Sequence, residues 1–194
     1  MASSVQICNQ AMAKLGAQRI TDLMDDTRNA RVLNGIYDIK RDAELAAHPW
    51  TFAITRAKIP ASSTAPSFGW AYAYPLPPDC LRLVEIGEAF ADYDPAGFEV
   101  EGGAILTDNA SPLSIRYVQR VTNSGLYPPL FVESFACRLA AETAEELTQN
   151  LSKREAAWAE RKQAIAEARR TNAIERPPQR SQPTSWERAL MGLD

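Results

Sequence analysis

The residue in this sequence best suited to acid–base or metal chemistry is its one histidine, His48, in the stretch HPWTFAITRAKIP. Histidine changes charge near neutral pH and is a common metal ligand. Catalysis would also need a nucleophile and an acidic group that orients the ring, and sequence spacing places neither beside His48. Pro49 disfavours helical geometry at the preceding residue. We therefore predict a structural corner at His48, Pro49 and Trp50, with His48 capping a helix.

Other patterns associated with chemistry are not found in the sequence. Cys8, Cys80 and Cys137 are widely spaced and form no CxxC pair, which argues against a disulfide framework and a zinc site. The sequence contains no GxxxxGK[ST], GxGxxG, GxSxG or HExxH motif. We therefore expect buried free thiols, no catalytic residue, no cofactor-binding residue and no metal site.

Acidic residues are concentrated in the middle of the chain, where no basic residue lies between Arg82 and Arg116. The acidic residues of this stretch are Glu85, Glu88, Asp92, Asp94, Glu99, Glu101 and Asp108. Two carboxylates suffice for glycoside hydrolysis, so a glycan hydrolase is one possibility. Carboxylates in strands and turns are usually solvated, and we favour an acidic surface.

The C-terminal part has the opposite charge. From Lys153 to the end the local balance is +3. A head-to-tail contact between copies would bring the two signs together. The whole chain has a net charge of −3, whereas a dedicated nucleic-acid binder is normally basic.

Length and composition indicate one domain, or one domain with an insert. The 194 residues are 45% hydrophobic, enough for one core. The first residues, MASSVQICNQ, do not resemble a secretion signal. No apolar run approaches the roughly 20 residues that span a bilayer, so we expect no membrane insertion.

Helical patterns lie at both ends of the chain. Ser3 and Gln6 predict a capping box for a first helix that ends at Gly16. A second helix is predicted at about 27–47, capped by Asp25 or Asp26. A later helix is marked by Phe131, Phe135, Leu139, Thr143, Leu147 and Leu151 and breaks near Asn150. Ser152 and Glu155 predict a capping box for a last helix, to about 172, with a stripe of Ala157, Trp158, Ile165 and Ala168.

The central part reads as β structure. Strands are predicted at 51–59, 81–87, 104–107 and 114–121, with a tight hairpin turn at Gly102 and Gly103. The fold class is therefore α+β. A helical bundle of about four helices (1–49 and 128–172) carries a small antiparallel β-rich insert (50–127).

The chain ends in a proline-containing arm, predicted as extended over 173–194. Trp186, Leu190 and Met191 make its end amphipathic. Such apolar residues on a polar tether indicate docking on a partner or on a neighbouring subunit.

Three segments together suggest a family. They are ICNQAMAKLGAQRITDL, RDAELAAHPWTFAITRAKI and GWAYAYPLPPDCLRLVEI. The HPWxFAxxR corner and the YxLPxDCLRL segment are the most specific. Over about residues 4–150 the chain resembles the tail tubular protein A family of short-tailed bacteriophages, the head-to-tail adaptors or gatekeepers.

The resemblance implies a structural virion protein in the phage tail, assembled in the host cytoplasm. It implies a homo-oligomeric ring of twelve copies between the portal protein and the tail nozzle (tail tubular protein B). Such rings also help to attach tail fibres or spikes, and genome DNA passes through their lumen. The implied fold is a helical bundle with a β subdomain.

Two further expectations follow for such a ring. Part of the acidic group would line the channel or an interface surface, where an acidic wall repels phosphates, so DNA would pass without specific binding. The arm carrying Trp186, Leu190 and Met191 would dock on the portal or on a neighbouring subunit. The alternatives are an envelope glycan hydrolase that uses carboxylates of the β insert and a DNA-binding packaging factor. The packaging factor predicts salt-dependent affinity for duplex DNA.

Overall fold

The computed structural model describes residues 2–87 and 97–175. Within them the chain is α+β, with four α-helices and two three-stranded antiparallel sheets, which confirms the predicted fold class. The helices are α1 (Ser4–Leu15), α2 (Arg28–Ala46), α3 (Pro129–Thr148) and α4 (Leu151–Ile174). The strands are β1 (Ile54–Ile59), β2 (Tyr72–Pro75), β3 (Cys80–Ile86), β4 (Phe98–Glu101), β5 (Ala104–Thr107) and β6 (Leu113–Gln119).

The ends of the first helix follow local chemistry. The side chains of Ser3 and Gln6 bond each other's backbone N–H groups, as predicted, and Gly16 ends α1 in the left-handed region at φ 63°. The predicted cap of α2 is wrong, because Thr27 caps the helix by accepting from the N–H of Ala30. Asp25 instead accepts from the hydroxyl and N–H of Thr21 and from the N–H of Asp22, which lower the pKa of its carboxyl.

The break between the last two helices also lies where it was predicted, at Gln149 and Asn150. Asn150, and not Ser152, caps α4 by accepting from the N–H of Lys153. Leu151 is 61% exposed, because it begins α4 and does not continue the apolar face of α3. Trp158 is 38% exposed and is not part of a buried stripe; its ring lies 5.5 Å from the guanidinium of Arg161.

Each sheet differs in part from the sequence prediction. The first has the order β1-β6-β3 and the second β2-β5-β4. Residues 51–53 form a 3-10 turn, and not the start of β1. Strands β2 and β4 were not predicted; β2 ends in Pro75, which its edge position tolerates. The β4–β5 hairpin turns at Gly102 and Gly103, both at positive φ, as a two-residue loop requires.

The molecule has three layers, and β6 is the element that joins them. Val118 lies in the core formed by the helices, whereas Ile115 and Tyr117 lie on the opposite face of β6. Those two side chains pack in a second core with Tyr74 of β2 and Ile105 of β5. The first sheet is therefore covered by the helices on one side and by the second sheet on the other. The second sheet is the layer farthest from the helices.

No helix in the described part of the chain combines the length and the apolar character needed to cross a membrane.

Candidate interaction surfaces

The corner at His48, Pro49 and Trp50 is built around a buried indole. Trp50 is 2% exposed, and its Nε1 donates to the backbone oxygen of Glu44 at 3.0 Å. Its ring lies edge-on to His48 and Phe131 at centroid distances of 4.7 and 5.1 Å. His48 Nε2 lies 3.0 Å from Nδ2 of Asn172 on α4. The histidine thus ties the end of α2 to α4 through Asn172.

Replacing His48 with alanine is expected to lower the free energy of unfolding by about 1–2 kcal/mol, since its hydrogen bond to Asn172 and its ring contact with Trp50 are lost. Urea denaturation would measure the change. Asn172→Ala is the matched comparison and should cost more, because Asn172 Oδ1 also accepts from the N–H of Thr51. A loss larger for His48→Ala than for Asn172→Ala would contradict this assignment.

A buried carboxylate joins three of the helices. Glu44 of α2 is fully buried, and its Oε1 accepts from the hydroxyl of Ser134 at 2.8 Å. Its Oε2 accepts from Arg138 of α3 at 2.8 Å and from Arg161 of α4 at 3.0 Å. We call Glu44, Ser134, Arg138 and Arg161 the glutamate cluster. Since Trp50 donates to the backbone oxygen of Glu44, the glutamate cluster also connects to the corner.

The sequence interpretation missed the glutamate cluster, although one signal was present. Glu44 follows Leu33 and Tyr37 on the core-facing stripe of α2, so its burial was predictable from spacing. A buried carboxylate must be paired. The partners Arg138 and Arg161 lie about a hundred residues away in the chain, and helix periodicity does not identify them.

A second polar cluster brings together groups that can bind a metal, Glu133, Cys137 and Glu160. The ammonium of Lys14 lies 2.5 Å from Oε1 of each glutamate, so one positive charge already offsets part of their negative charge. Burial lowers the pKa of Lys14, but its hydrogen bonds to Glu133 and Glu160 outweigh this and raise it. Burial raises the pKa of Cys137 to about 11, so its thiol is protonated at neutral pH. The cluster is an ion-pair link between α1, α3 and α4.

The three cysteines are free. Cys8 and Cys137 are buried, and burial raises the pKa of Cys8 to about 12. Cys80, at the start of β3, is half-buried, so the expectation of buried thiols is wrong for this residue.

The predicted acidic group is divided by the structure. Glu99 and Glu101 of β4 are exposed, and Asp108, also exposed, accepts from the N–H of Ala71. Glu85 lies on the first sheet, where Arg116 pairs with it at 2.7 Å, so it does not belong to the same surface. Glu88, Asp92 and Asp94 lie outside the described residues.

Glu99 and Glu101 border an open cleft of about 530 Å³ on the outer side of the second sheet. In the register of β4 and β5, Glu99 lies opposite Leu106, on the face turned away from the second core. Phe68, 89% exposed, and Trp70 line the cleft from the loop before β2. Trp70 donates from Nε1 to Glu99 at 3.2 Å. We call Phe68, Trp70, Glu99, Glu101 and Asp108 the acidic surface.

The basic surface consists of Lys162, Arg169 and Arg170 on α4, all exposed. In the described part of the chain none of them forms an ion pair, whereas Arg154 and Arg161 pair with Glu145 and Glu44. The acidic and basic surfaces therefore lie on opposite outer layers, the second sheet and the helices. The predicted docking residues Trp186, Leu190 and Met191 lie outside the described residues.

No family model matches the chain, and no curated protein matches it significantly.

Proposed function

We propose that this chain is a structural virion protein, the subunit of a head-to-tail connector in a short-tailed bacteriophage. Twelve copies form a ring that joins the portal protein to the tail nozzle and surrounds the path of DNA ejection. Tail fibres or spikes attach near the ring. The subunit works through geometry and contacts, without catalysis, cofactor or metal.

Charge separation across the molecule supports the proposal most directly. The acidic surface lies on the layer farthest from the helices, and the basic surface lies on α4. Contacts that pair unlike surfaces of successive copies close into a ring when the rotation between copies allows it. The unpaired charges of Glu99, Glu101, Arg169 and Arg170 suit such a contact, because no partner within the described subunit neutralises them.

An adaptor must also keep its shape under load. Glu44, Arg138 and Arg161 connect α2, α3 and α4. Lys14, with Glu133 and Glu160, connects α1 to α3 and α4. Every helix of the described bundle is thereby held by a charged contact in addition to its apolar core, which suits a rigid building block.

The hydrolase alternative finds weaker support in the same geometry. Glu99 and Glu101 are solvent-exposed neighbours on one strand. The general acid of a glycosidase is instead held in an apolar environment that keeps it protonated. The exposed carboxylates suit a repulsive or pairing surface better than proton transfer.

Charge reversal tests the assembly directly. The purified chain would be mixed with portal rings from the same phage and imaged by electron microscopy, which is expected to show a twelvefold ring on the portal. The double substitutions E99K/E101K and R169E/R170E should each weaken ring formation at least about tenfold, because like charges would face each other. Combining all four should restore much of the assembly.

Asp26→Lys is the control, since Asp26 is an exposed acidic residue outside both surfaces. It should leave assembly unchanged. Failure of the unmodified chain to join portal rings would overturn the connector proposal. Assembly of both reversed variants at full strength would retain the connector but exclude these surfaces as its contact. Duplex binding at low salt that weakens as salt rises would favour the packaging-factor alternative.

A further inference from the structure

An apolar groove lies where α4 ends against the start of α3. It has a volume of about 180 Å³ and is partly open to solvent. Its lining comprises Trp50, Pro128, Pro129, Leu130, Phe131, Ala168, Thr171, Asn172 and Glu175. An apolar cavity of roughly 150 Å³ accommodates benzene, so this groove has room for one aromatic side chain.

The rest of the chain begins at the rim of this groove. Glu175 lines the groove and is the last described residue, and the arm continues from it. The arm is polar until Trp186, apart from Pro177, Pro178 and Pro183. Proline-rich stretches extend by roughly 3.1 Å per residue. The chain can lead away from Glu175 through the first two prolines and turn back at the polar residues before Pro183. Trp186 is therefore within reach of its own groove.

Tethering favours the chain's own arm over that of another copy. A short flexible tether gives an effective concentration in the millimolar range. A free subunit at micromolar concentration meets other arms roughly a thousand times less often. For the same contact, the arm of the same chain is therefore favoured over the arm of another copy.

Among the apolar residues of the arm, Trp186 matches the groove best. A buried indole needs an acceptor for its N–H, and the carboxylate of Glu175 stands at the rim. One oxygen of Glu175 accepts from the hydroxyl of Thr51 at 2.6 Å, which leaves the other oxygen for a second donor. Leu190 and Met191 have no use for such an acceptor.

We propose that the groove between the end of α4 and the start of α3 binds the indole of Trp186 from the same chain. The arm is thus held against the subunit until something displaces it. In the connector, displacement by the portal or by a neighbouring subunit would free the arm, a consequence that rests on the proposed function. Occupation of the groove by Trp186 in the free subunit does not rest on the proposed function.

A cysteine pair tests the contact in the full-length chain. Thr171→Cys places a thiol on the groove, and Ser185→Cys places one beside Trp186. Under mild oxidation in dilute solution we expect an intramolecular disulfide, identified by peptide mass spectrometry. Adding Trp186→Ala to the pair should slow its formation at least about tenfold. Leu190→Ala is the matched control and should slow it less than threefold.

The outcomes separate the possible occupants. A disulfide that forms at the same rate with Trp186→Ala would overturn the proposal, because the thiols would then meet by random motion of the tether. A disulfide that joins two chains and forms faster at higher protein concentration would assign the groove to another copy and also overturn it. Neither result depends on ring assembly, which is measured separately with the portal.

Discussion

Replacing Glu44 with alanine is expected to lower the free energy of unfolding by about 3–5 kcal/mol, the usual loss when one member of a buried ion pair is removed. The carboxylate is fully buried and is the acceptor for Ser134, Arg138 and Arg161. The Nε atoms of both arginines are buried and have no hydrogen-bond partner in the described chain. Removing Glu44 would therefore leave two guanidinium groups poorly solvated. Urea denaturation followed by circular dichroism measures the change.

Glu145→Ala provides the matched control. Glu145 of α3 pairs with Arg154 of α4 at 2.7 Å, but both side chains are largely exposed. Exposed ion pairs contribute about 0–1 kcal/mol. The two glutamates thus connect the same bundle with different burial, and the difference between the variants isolates the effect of burial.

A triple substitution distinguishes unpaired charge from lost packing. Replacing Glu44, Arg138 and Arg161 together with Leu, Met and Met removes all three charges and keeps most of the volume. Buried ion pairs replaced in this way are often neutral or stabilising. The triple variant should therefore be more stable than Glu44→Ala. An equal or greater loss would show that the cluster acts mainly through its shape.

The parts of the fold that local chemistry determines were predictable from sequence. The capping box of Ser3 and Gln6 and the two-residue turn at Gly102 and Gly103 need only neighbouring residues. The helix break at Asn150 was likewise predicted, but its cap was misassigned, because Asn150 and Ser152 both have capping side chains. Local patterns locate a boundary better than they select between adjacent capping residues.

Strands β2 and β4 could not be recognised because their stability comes from pairing. Pro75 and the prolines that follow it argue against a strand, although β2 pairs with β5 at an edge that tolerates proline. All of β4 is exposed, so FEVE has no buried alternation of its own. Its register is set by the turn that joins it to β5. Both strands depend on β5, whose Ile105 and Thr107 are buried.

The exposure of the acidic residues was predictable only in part, because it also depends on strand pairing. Glu99 and Glu101 are exposed, like all of β4, which agrees with the expectation that carboxylates in strands and turns are solvated. Glu85 belongs to the same acidic stretch of the sequence, but its neighbour across the sheet is Arg116. Whether a carboxylate remains unpaired depends on strand register, which single-sequence patterns do not provide.

Trp50→Ala is expected to lower the free energy of unfolding by about 3–5 kcal/mol, as is usual when a fully buried aromatic side chain is removed. Trp50 packs against Phe131, and it lies between the end of α2 and the start of β1. Its loss would leave a cavity and remove the donor to the Glu44 backbone. The link between the helices and the first sheet should weaken together with overall stability.

Two substitutions divide this effect into parts. Trp50→Phe retains an aromatic ring but leaves the backbone oxygen of Glu44 without the indole donor, so a loss of about 1–3 kcal/mol is expected. Trp158→Ala removes a half-exposed indole, whose main described partner is Arg161, and should cost about 1 kcal/mol or less. Denaturation midpoints and slopes in urea rank the three variants. If Trp50→Ala fell within about 1 kcal/mol of Trp158→Ala, the corner would not couple the two layers. The expected order instead makes Trp50 the residue through which the HPW corner holds the first sheet on the helical bundle.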